Sequence, residues 1–181
     1  MTISRMLLTP FVVTAIVQGY PRDAAAWFAA AAFTDFLDGW LARIRHVEST
    51  VGQYLDPIAD KLLLSGVFVA LAIEGSAPRW FVGLVLGRDA AIVIASVIAM
   101  KVSSYNDYSP TVWGKLSTLL QILAVVAVLA SNATGSAAMK TFADWAIWAA
   151  AAGTAWSAVH YTWRGVSYFV RRRGAPRVNP K

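Results

Sequence analysis

The sequence contains no cysteine and only two histidines among its 181 residues. Without thiols the chain can form no disulfide, thiolate metal site or thiol nucleophile, so its chemistry must use oxygen and nitrogen groups. Charged residues are also scarce, at 14% of the chain, against roughly 25% in an ordinary soluble domain. Hydrophobic residues make up 57% of the chain, and the mean hydropathy is +0.54. This composition argues against a water-soluble globule and leaves no room for a separate soluble domain.

Long uncharged runs divide the chain into six candidate helices bounded by charges, glycine or proline. A transmembrane helix needs about 20 apolar residues, so six spans would occupy most of the sequence. We therefore predict one all-α domain over residues 1–181, an integral membrane bundle of six transmembrane helices. Because proline suits a first helical turn, Pro57 is expected to begin the third helix. The predicted spans cover about residues 5–20, 24–45, 57–75, 80–101, 112–131 and 144–170.

The distribution of positive charge predicts the orientation of the bundle. The formal net charge is +6, but the main cationic cluster lies in a basic tail, residues 171–181, that follows an apolar segment. Such a tail is typical of a cytoplasmic flank facing anionic lipid, and we expect no nucleic acid partner. With the N-terminus inside, the inner side receives Arg5, Arg43, Arg45, Lys101, Lys115, Arg171, Arg172, Arg173, Arg177 and Lys181. The outer side receives Arg22, Arg79 and Lys140, so both termini are predicted to be cytoplasmic.

Half of the ten acidic residues lie between positions 35 and 60. Asp35 and Asp38 are three residues apart and share one face of the second predicted helix. Asp56 and Asp60 are four apart and share one face of the third. Because only a short loop separates these helices, we expect them to be antiparallel neighbours. The four carboxylates are then predicted to converge near the cytoplasmic surface.

Four ionised carboxylates in one place would repel each other unless cations lay between them. Ligation by carboxylates alone suits hard ions such as Mg²⁺ or Mn²⁺. Two such ions about 3.5 to 4 Å apart could clamp a diphosphate and activate an attacking hydroxyl. Gly39 and Gly52 leave room for a ligand against the helices, and Arg43 could contact phosphate. In the alternative interpretation, the aspartates only pair with the neighbouring cations Arg43, Arg45 and Lys61.

The aspartates belong to a longer pattern, D-x-x-D-G-x-x-A-R, eight residues, then G-x-x-x-D-x-x-x-D. This pattern resembles the signature of the CDP-alcohol phosphotransferase family. Its fixed positions are met by Asp35, Asp38, Gly39, Ala42, Arg43, Gly52, Asp56 and Asp60. The resemblance implies that the four aspartates bind two divalent cations and that Asp60 is also the general base for the acceptor hydroxyl. It implies that the CDP part of the donor is lined by Asp38, Gly39, Arg43 and Gly52.

Further motifs resemble the family branches that take CDP-diacylglycerol as donor, the phosphatidylglycerophosphate synthases and the eukaryotic-type cardiolipin synthases. One is L-D-P-I-A-D-K-L-L at residues 55–63, and another is K-x-x-T-x-x-Q at residues 115–121. Thr2 and Arg5 form a T-x-x-R pattern, and the resemblance adds both to the expected donor site. The asparagine that precedes this pattern in both branches is absent, which is consistent with a trimmed or later start.

The pair Arg88-Asp89 helps to distinguish the two branches. Phosphatidylglycerophosphate synthases typically have Arg-Glu here and a second arginine about two turns later, where this chain has Ala95-Ser96. An extra cation suits a phosphorylated acceptor such as glycerol 3-phosphate, so its absence favours phosphatidylglycerol. Ser109-Pro110-Thr111 and His160-Tyr161 also resemble the cardiolipin branch. The implied products are cardiolipin and CMP, and the expected acceptor-binding residues are Arg88, Lys115 and His160.

Other interpretations of these residues stay open. Arg88 and Asp89 could simply neutralise each other, Lys115 could be a positive flank, and His160 could be a packed, hydrogen-bonded side chain. Phosphatidylglycerophosphate synthesis from glycerol 3-phosphate is the alternative activity, and a divalent-cation transporter is the non-enzymatic one. The resemblance also implies a homodimer. We expect an integral protein of a bacterial cytoplasmic membrane whose active site faces the cytoplasm.

Overall fold

The described part of the chain consists of six α-helices and contains no strand. The computed structural model describes the backbone of residues 2–45, 50–102 and 112–173, and the side chains of residues 7–34, 37, 61–94 and 112–163. The helices are α1 Thr2–Val17, α2 Pro21–Arg45, α3 Thr50–Glu74, α4 Arg79–Val102, α5 Val112–Thr134 and α6 Ala137–Arg173. The predicted all-α class and number of helices are thereby confirmed.

Two predicted helix starts are wrong. Helix α3 begins at Thr50 rather than at Pro57, so the proline lies inside the helix. A proline there removes one backbone hydrogen bond, but a helix embedded among others tolerates this loss. Helix α6 begins at Ala137, about two turns before Asp144. The intervening residues are mostly good helix formers such as alanine, methionine and lysine, so the acidic residue does not mark a boundary.

A glycine with positive φ follows the last residue of α1, α3 and α5 within one or two positions. The angles are 73° at Gly19, 95° at Gly75 and 65° at Gly135. Glycine adopts this left-handed conformation without a Cβ clash, which makes it the usual residue after a helix end. The short turns join consecutive helices into the hairpins α1–α2, α3–α4 and α5–α6. Asn132 donates a 2.7 Å hydrogen bond to Ser76, so the second and third turns lie at the same end of the bundle.

Helices α1 to α4 share an apolar core. Phe68 on α3 and Phe81 on α4 are both 1% exposed and meet edge to face with ring centroids 5.5 Å apart. Val12 on α1 is fully buried. A Cβ built on Gly66 of α3 would lie 3.4 Å from the side chain of Val13, so α1 and α3 pack closely. Helix α1 also packs against α2 and thereby holds the two helices that carry the aspartate pairs.

Helices α5 and α6 pack through small and polar side chains. Ser117, Gln121 and Thr154 are each at most 2% exposed. The Gln121 side-chain nitrogen donates to Thr154 Oγ1 at 2.9 Å, and Ser117 Oγ lies 3.3 Å from the same atom. A Cβ on Gly153 would lie 2.7 Å from the side chain of Leu120. Close approach of small residues and interhelical hydrogen bonds are the means by which helices associate in membranes.

Replacing Thr154 by valine is expected to lower the free energy of unfolding by about 1 to 2 kcal/mol. The substitution keeps the shape of the side chain but removes the nearer acceptor of the buried Gln121 amide, which retains only the longer contact to Ser117 Oγ at 3.4 Å. Unfolding in detergent, followed by circular dichroism, measures the change. The matched control is Thr162→Val, because this exposed hydroxyl bonds only to its own helix. The double variant Gln121→Leu/Thr154→Val should recover most of the lost free energy of unfolding. If Thr154→Val alone lost no more stability than Thr162→Val, the prediction would be wrong.

Large apolar side chains are exposed on every helix of the bundle. Examples are Leu7 on α1, Phe33 on α2, Ile73 on α3, Ile94 on α4, Leu119 on α5 and Trp145 on α6. Soluble monomers rarely expose apolar surface on this scale. Judged by length and composition, α5 is the one helix among the described residues that is long and apolar enough to cross a membrane. Six membrane crossings and cytoplasmic termini stay predictions.

Candidate active site

The four aspartates of the predicted metal site lie on α2 and α3, on either side of the connection 46–49. Asp35 and Asp38 are in the second half of α2, and Asp56 and Asp60 are in the first half of α3. Because this connection is so short, the two helix ends are within about 19 Å of each other. The four side chains lie outside the described ones, so their convergence stays a prediction. Elsewhere, the described side chains include no group of three or more acidic or histidine residues that could hold a metal ion.

The other residues of the expected donor site lie at the same end of the helices. Gly39 and Arg43 follow the first aspartate pair on α2, and Gly52 lies in the first turn of α3. Thr2 and Arg5 begin α1, which the Gly19 turn makes antiparallel to α2. The side chains of these candidates also lie outside the described ones. The helix topology therefore puts the expected donor residues at one end of the bundle. Their contacts with each other and with the donor stay predictions.

A charge cluster joins α3 to α4 next to the predicted metal site. Arg88 Nη1 donates to Asp89 Oδ1 at 2.7 Å, and the Lys61 ammonium lies 3.1 Å from the same oxygen. The Arg88 side chain is 6% exposed and that of Asp89 is 20% exposed. The two residues do neutralise each other, but Lys61 adds a second cation, so the cluster has a net charge of +1. Since Lys61 directly follows Asp60 in α3, the cluster adjoins the helical turn of the predicted base.

Helix α6 contributes one face to this cluster. Arg88 Nη2 donates to Ser157 Oγ at 2.8 Å, and Ser157 is fully buried. One turn later, the Tyr161 ring lies 5.8 Å from the Arg88 guanidinium carbon, within the range of a cation–π interaction. The His160 ring packs edge to face against Tyr161, with centroids 6.5 Å apart. The expected acceptor residues Arg88 and His160 each lie against Tyr161.

Two buried polar atoms of this region have no hydrogen-bond partner among the described residues, namely Arg88 Nε and His160 Nδ1. His160 could be a packed, hydrogen-bonded side chain, but its Nδ1 has no hydrogen-bond partner among the described residues. An unpaired buried donor or acceptor costs about 1 to 3 kcal/mol. An anionic ligand oxygen would satisfy the guanidinium N–H. The unpaired Arg88 N–H is therefore the group of this cluster that a phosphate oxygen would have to reach.

Lys115 does not belong to this cluster. It is exposed in the first turn of α5, whereas the described contacts of Arg88 come from α4 and α6. The glutamine of the same K-x-x-T-x-x-Q pattern, Gln121, faces α6 and bonds to Thr154. Thr118, the middle residue, donates to the Gly114 carbonyl of its own helix at 3.1 Å. The described contacts of Thr118 and Gln121 are packing contacts, and acceptor binding by Lys115 stays a prediction.

Sequence reasoning missed Ser157 as part of the site. The residue lies in an alanine-rich stretch, where a serine is expected to serve close helix packing. The available signal was spacing, because Ser157, His160 and Tyr161 follow one another at intervals of three and four residues and share a helix face. That face is the one that meets Arg88.

Comparisons with known proteins agree with the site pattern. The model of a protein family described as CDP-alcohol phosphatidyltransferase matches residues 1–156. The chain is 32% identical over 138 residues to a probable cardiolipin synthase (CMP-forming) of Drosophila melanogaster, covering 67% of this chain and 43% of the relative. It is 31% identical over 128 residues to a probable phosphatidylglycerophosphate synthase of Mycobacterium tuberculosis, covering 67% and 59%.

A third relative is the CDP-diacylglycerol–glycerol-3-phosphate 3-phosphatidyltransferase of Bacillus subtilis, 33% identical over 98 residues, which are 54% of this chain and 50% of the relative. The chain thus spans less than two thirds of the length of these three relatives. No solved structure matches the chain. Since the family model covers most of the chain and includes both aspartate pairs as well as Lys61, Arg88 and Asp89, the protein belongs to the CDP-alcohol phosphatidyltransferase family.

Proposed function

We propose that the protein transfers the phosphatidyl group of CDP-diacylglycerol to phosphatidylglycerol, forming cardiolipin and releasing CMP. Family membership supports transfer from a CDP-activated donor. The relatives are named for both cardiolipin and phosphatidylglycerophosphate synthesis, so the choice of acceptor rests on the chain's own residues.

The net charge of the Lys61, Arg88 and Asp89 cluster carries the choice of phosphatidylglycerol. The three residues together have a charge of +1, and the Nε–H of the buried Arg88 is unpaired among the described residues. The phosphodiester of phosphatidylglycerol carries one negative charge, whereas the phosphomonoester of glycerol 3-phosphate carries nearly two at neutral pH. Burying the second charge would need a further cation. The sequence has Ala95-Ser96 where a second arginine would be expected.

The donor atoms of the predicted metal site fit the divalent ions that the family resemblance implies. Asp35, Asp38, Asp56 and Asp60 offer only carboxylate oxygens, which Mg²⁺ and Mn²⁺ prefer. One pair lies in the second half of α2 and the other in the first half of α3, on either side of the short connection 46–49, and this topology supports the proposal. The aspartates would hold two ions, which when bound would neutralise charge on the diphosphate and on the leaving CMP.

In the proposed reaction, Asp60 accepts the proton of a hydroxyl on the glycerol headgroup of the acceptor. The alkoxide oxygen attacks the β-phosphorus, which bears diacylglycerol, and forms a new P–O bond. The bond from this phosphorus to the bridging oxygen breaks, and CMP leaves with the electron pair. Arg88 binds the phosphodiester of the acceptor and holds its hydroxyl towards the helical turn of Asp60.

Both substrates are lipids, so we place the protein in a membrane with six spanning helices and its active site at the cytoplasmic face. The exposed apolar side chains on all six helices and the composition of α5 support this placement. The excess of Lys and Arg near the predicted inner ends of the spans supports the orientation. A bacterial cytoplasmic membrane and a homodimer stay predictions.

The acceptor is tested with the purified protein in detergent. CMP release from CDP-diacylglycerol is measured with Mg²⁺ or Mn²⁺, in parallel reactions with phosphatidylglycerol and with glycerol 3-phosphate, and the lipid product is identified by mass spectrometry. We expect cardiolipin, and no product from glycerol 3-phosphate. Phosphatidylglycerophosphate from glycerol 3-phosphate alone would overturn the acceptor assignment. Metal flux into proteoliposomes without CMP release would instead favour a cation transporter.

A further inference from the structure

The Arg88 guanidinium is hydrogen-bonded through two of its nitrogens, and its third nitrogen, Nε, is buried and unpaired among the described residues. Its Nη1 donates to Asp89 at 2.7 Å and its Nη2 donates to Ser157 at 2.8 Å, while Nε has no partner among the described residues. Its side chain is 6% exposed, so water does not freely supply that partner. The unpaired Nε–H has a fixed direction only while the bonds to Asp89 and Ser157 hold the planar guanidinium in place.

The two contacts have different origins. Asp89 is the next residue along α4 and moves with Arg88, whereas Ser157 comes from α6 and is fully buried. The Tyr161 ring, 5.8 Å from the guanidinium carbon, restricts one face of the group but gives it no directional hydrogen bond. Ser157 is therefore the described polar contact that fixes the rotation of the guanidinium relative to another helix.

We propose that Ser157 is a positioning residue, which fixes the orientation of Arg88 so that the unpaired Nε–H is directed at the anionic phosphate oxygen of the acceptor. The inference rests on the proposed role of Arg88 in acceptor binding and adds a residue outside the aspartate pattern. Ser157 itself touches no substrate. Without its hydroxyl, Arg88 keeps its charge and its bond to Asp89 but loses its defined direction.

Replacing Ser157 by alanine is expected to raise the KM for the acceptor about tenfold, the lower range for losing a hydrogen bond to a charged group. The KM for CDP-diacylglycerol and kcat should change less than twofold. Ser157→Thr retains a hydroxyl and should restore the acceptor KM. The matched control is Thr154→Val, equally buried and one turn away on α6, which should lower stability without changing the acceptor KM selectively.

Several outcomes would overturn this proposal. An unchanged acceptor KM in Ser157→Ala, or equal changes in both KM values, would show that Ser157 serves packing alone. A substrate-free test compares the melting temperatures of Ser157→Ala, Arg88→Met and the double variant; strictly additive changes would show that the two side chains are not coupled. The wild-type product identifies the acceptor separately. If that acceptor is glycerol 3-phosphate, the acceptor proposal fails, and the Ser157 comparison is made with that substrate.

Discussion

Asp60→Asn is expected to reduce kcat for CMP release by about 10²- to 10⁴-fold, the usual contribution of a general base. The amide is isosteric with the carboxylate but cannot accept the proton of the acceptor hydroxyl. Donor binding should largely survive, because three other aspartates of the pattern and the expected CDP-binding residues are unchanged. The rate is measured with saturating substrates and Mg²⁺, and donor binding by the thermal stabilisation that CDP-diacylglycerol gives the variant.

The control for this substitution is Asp144→Asn. Asp144 is exposed in the second turn of α6, near the opposite end of the bundle from the aspartate pairs, and should be insensitive to the same chemical change. Turnover of Asp60→Asn within a few-fold of the wild type would refute the base assignment. Loss of both turnover and donor binding would indicate that Asp60 serves mainly to hold metal and donor.

Arg88→Met is expected to lower kcat/KM for the acceptor at least about 100-fold, the range for removing one partner of a buried charged contact. Methionine fills a similar volume, and Asp89 retains Lys61 at 3.1 Å, so no unpaired carboxylate is left in the bundle. The KM for CDP-diacylglycerol should change little. Initial rates with each substrate varied in turn separate the two effects.

Two further variants sharpen the Arg88 prediction. Arg88→Lys keeps the charge but loses the planar group that bonds Asp89 and Ser157 simultaneously, so an intermediate loss is expected. Arg79→Met removes an exposed arginine at the start of the same helix and should leave the kinetics unchanged. Equal loss of affinity for donor and acceptor in Arg88→Met would contradict an acceptor-specific role.

Local patterns predicted the helices well because their ends are local events. The turns after α1, α3 and α5 contain glycines that close a helix at low cost, and the apolar runs between such signals set the number of helices. The errors also have local causes. Pro57 suits a first helical turn, but a packed helix also accommodates it. Asp144 suits a helix start, but the residues before it also favour helix.

The candidate site was predictable only in part, because its contacts join distant parts of the chain. The unusual pair Arg88-Asp89 is visible inside an apolar run, and intramembrane charges are functional candidates. That Asp89 also binds Lys61, 28 residues earlier, depends on how α3 packs against α4. The bond from Arg88 to Ser157 joins residues 69 positions apart. No local sequence pattern can predict contacts between residues so far apart in the chain.

The hairpin formed by α3 and α4 has a consequence for biosynthesis. Lys61 and Arg88 are both costly in hydrocarbon, yet their shared carboxylate partner, Asp89, belongs to the same hairpin, and the Gly75 turn brings the two helices together. For a chain inserted as proposed, Asp89 can pair with both cations as soon as α4 has been synthesised, which lowers the cluster's net charge to +1. The contacts of Arg88 with Ser157 and Tyr161 form only when α6, the last helix, has been synthesised.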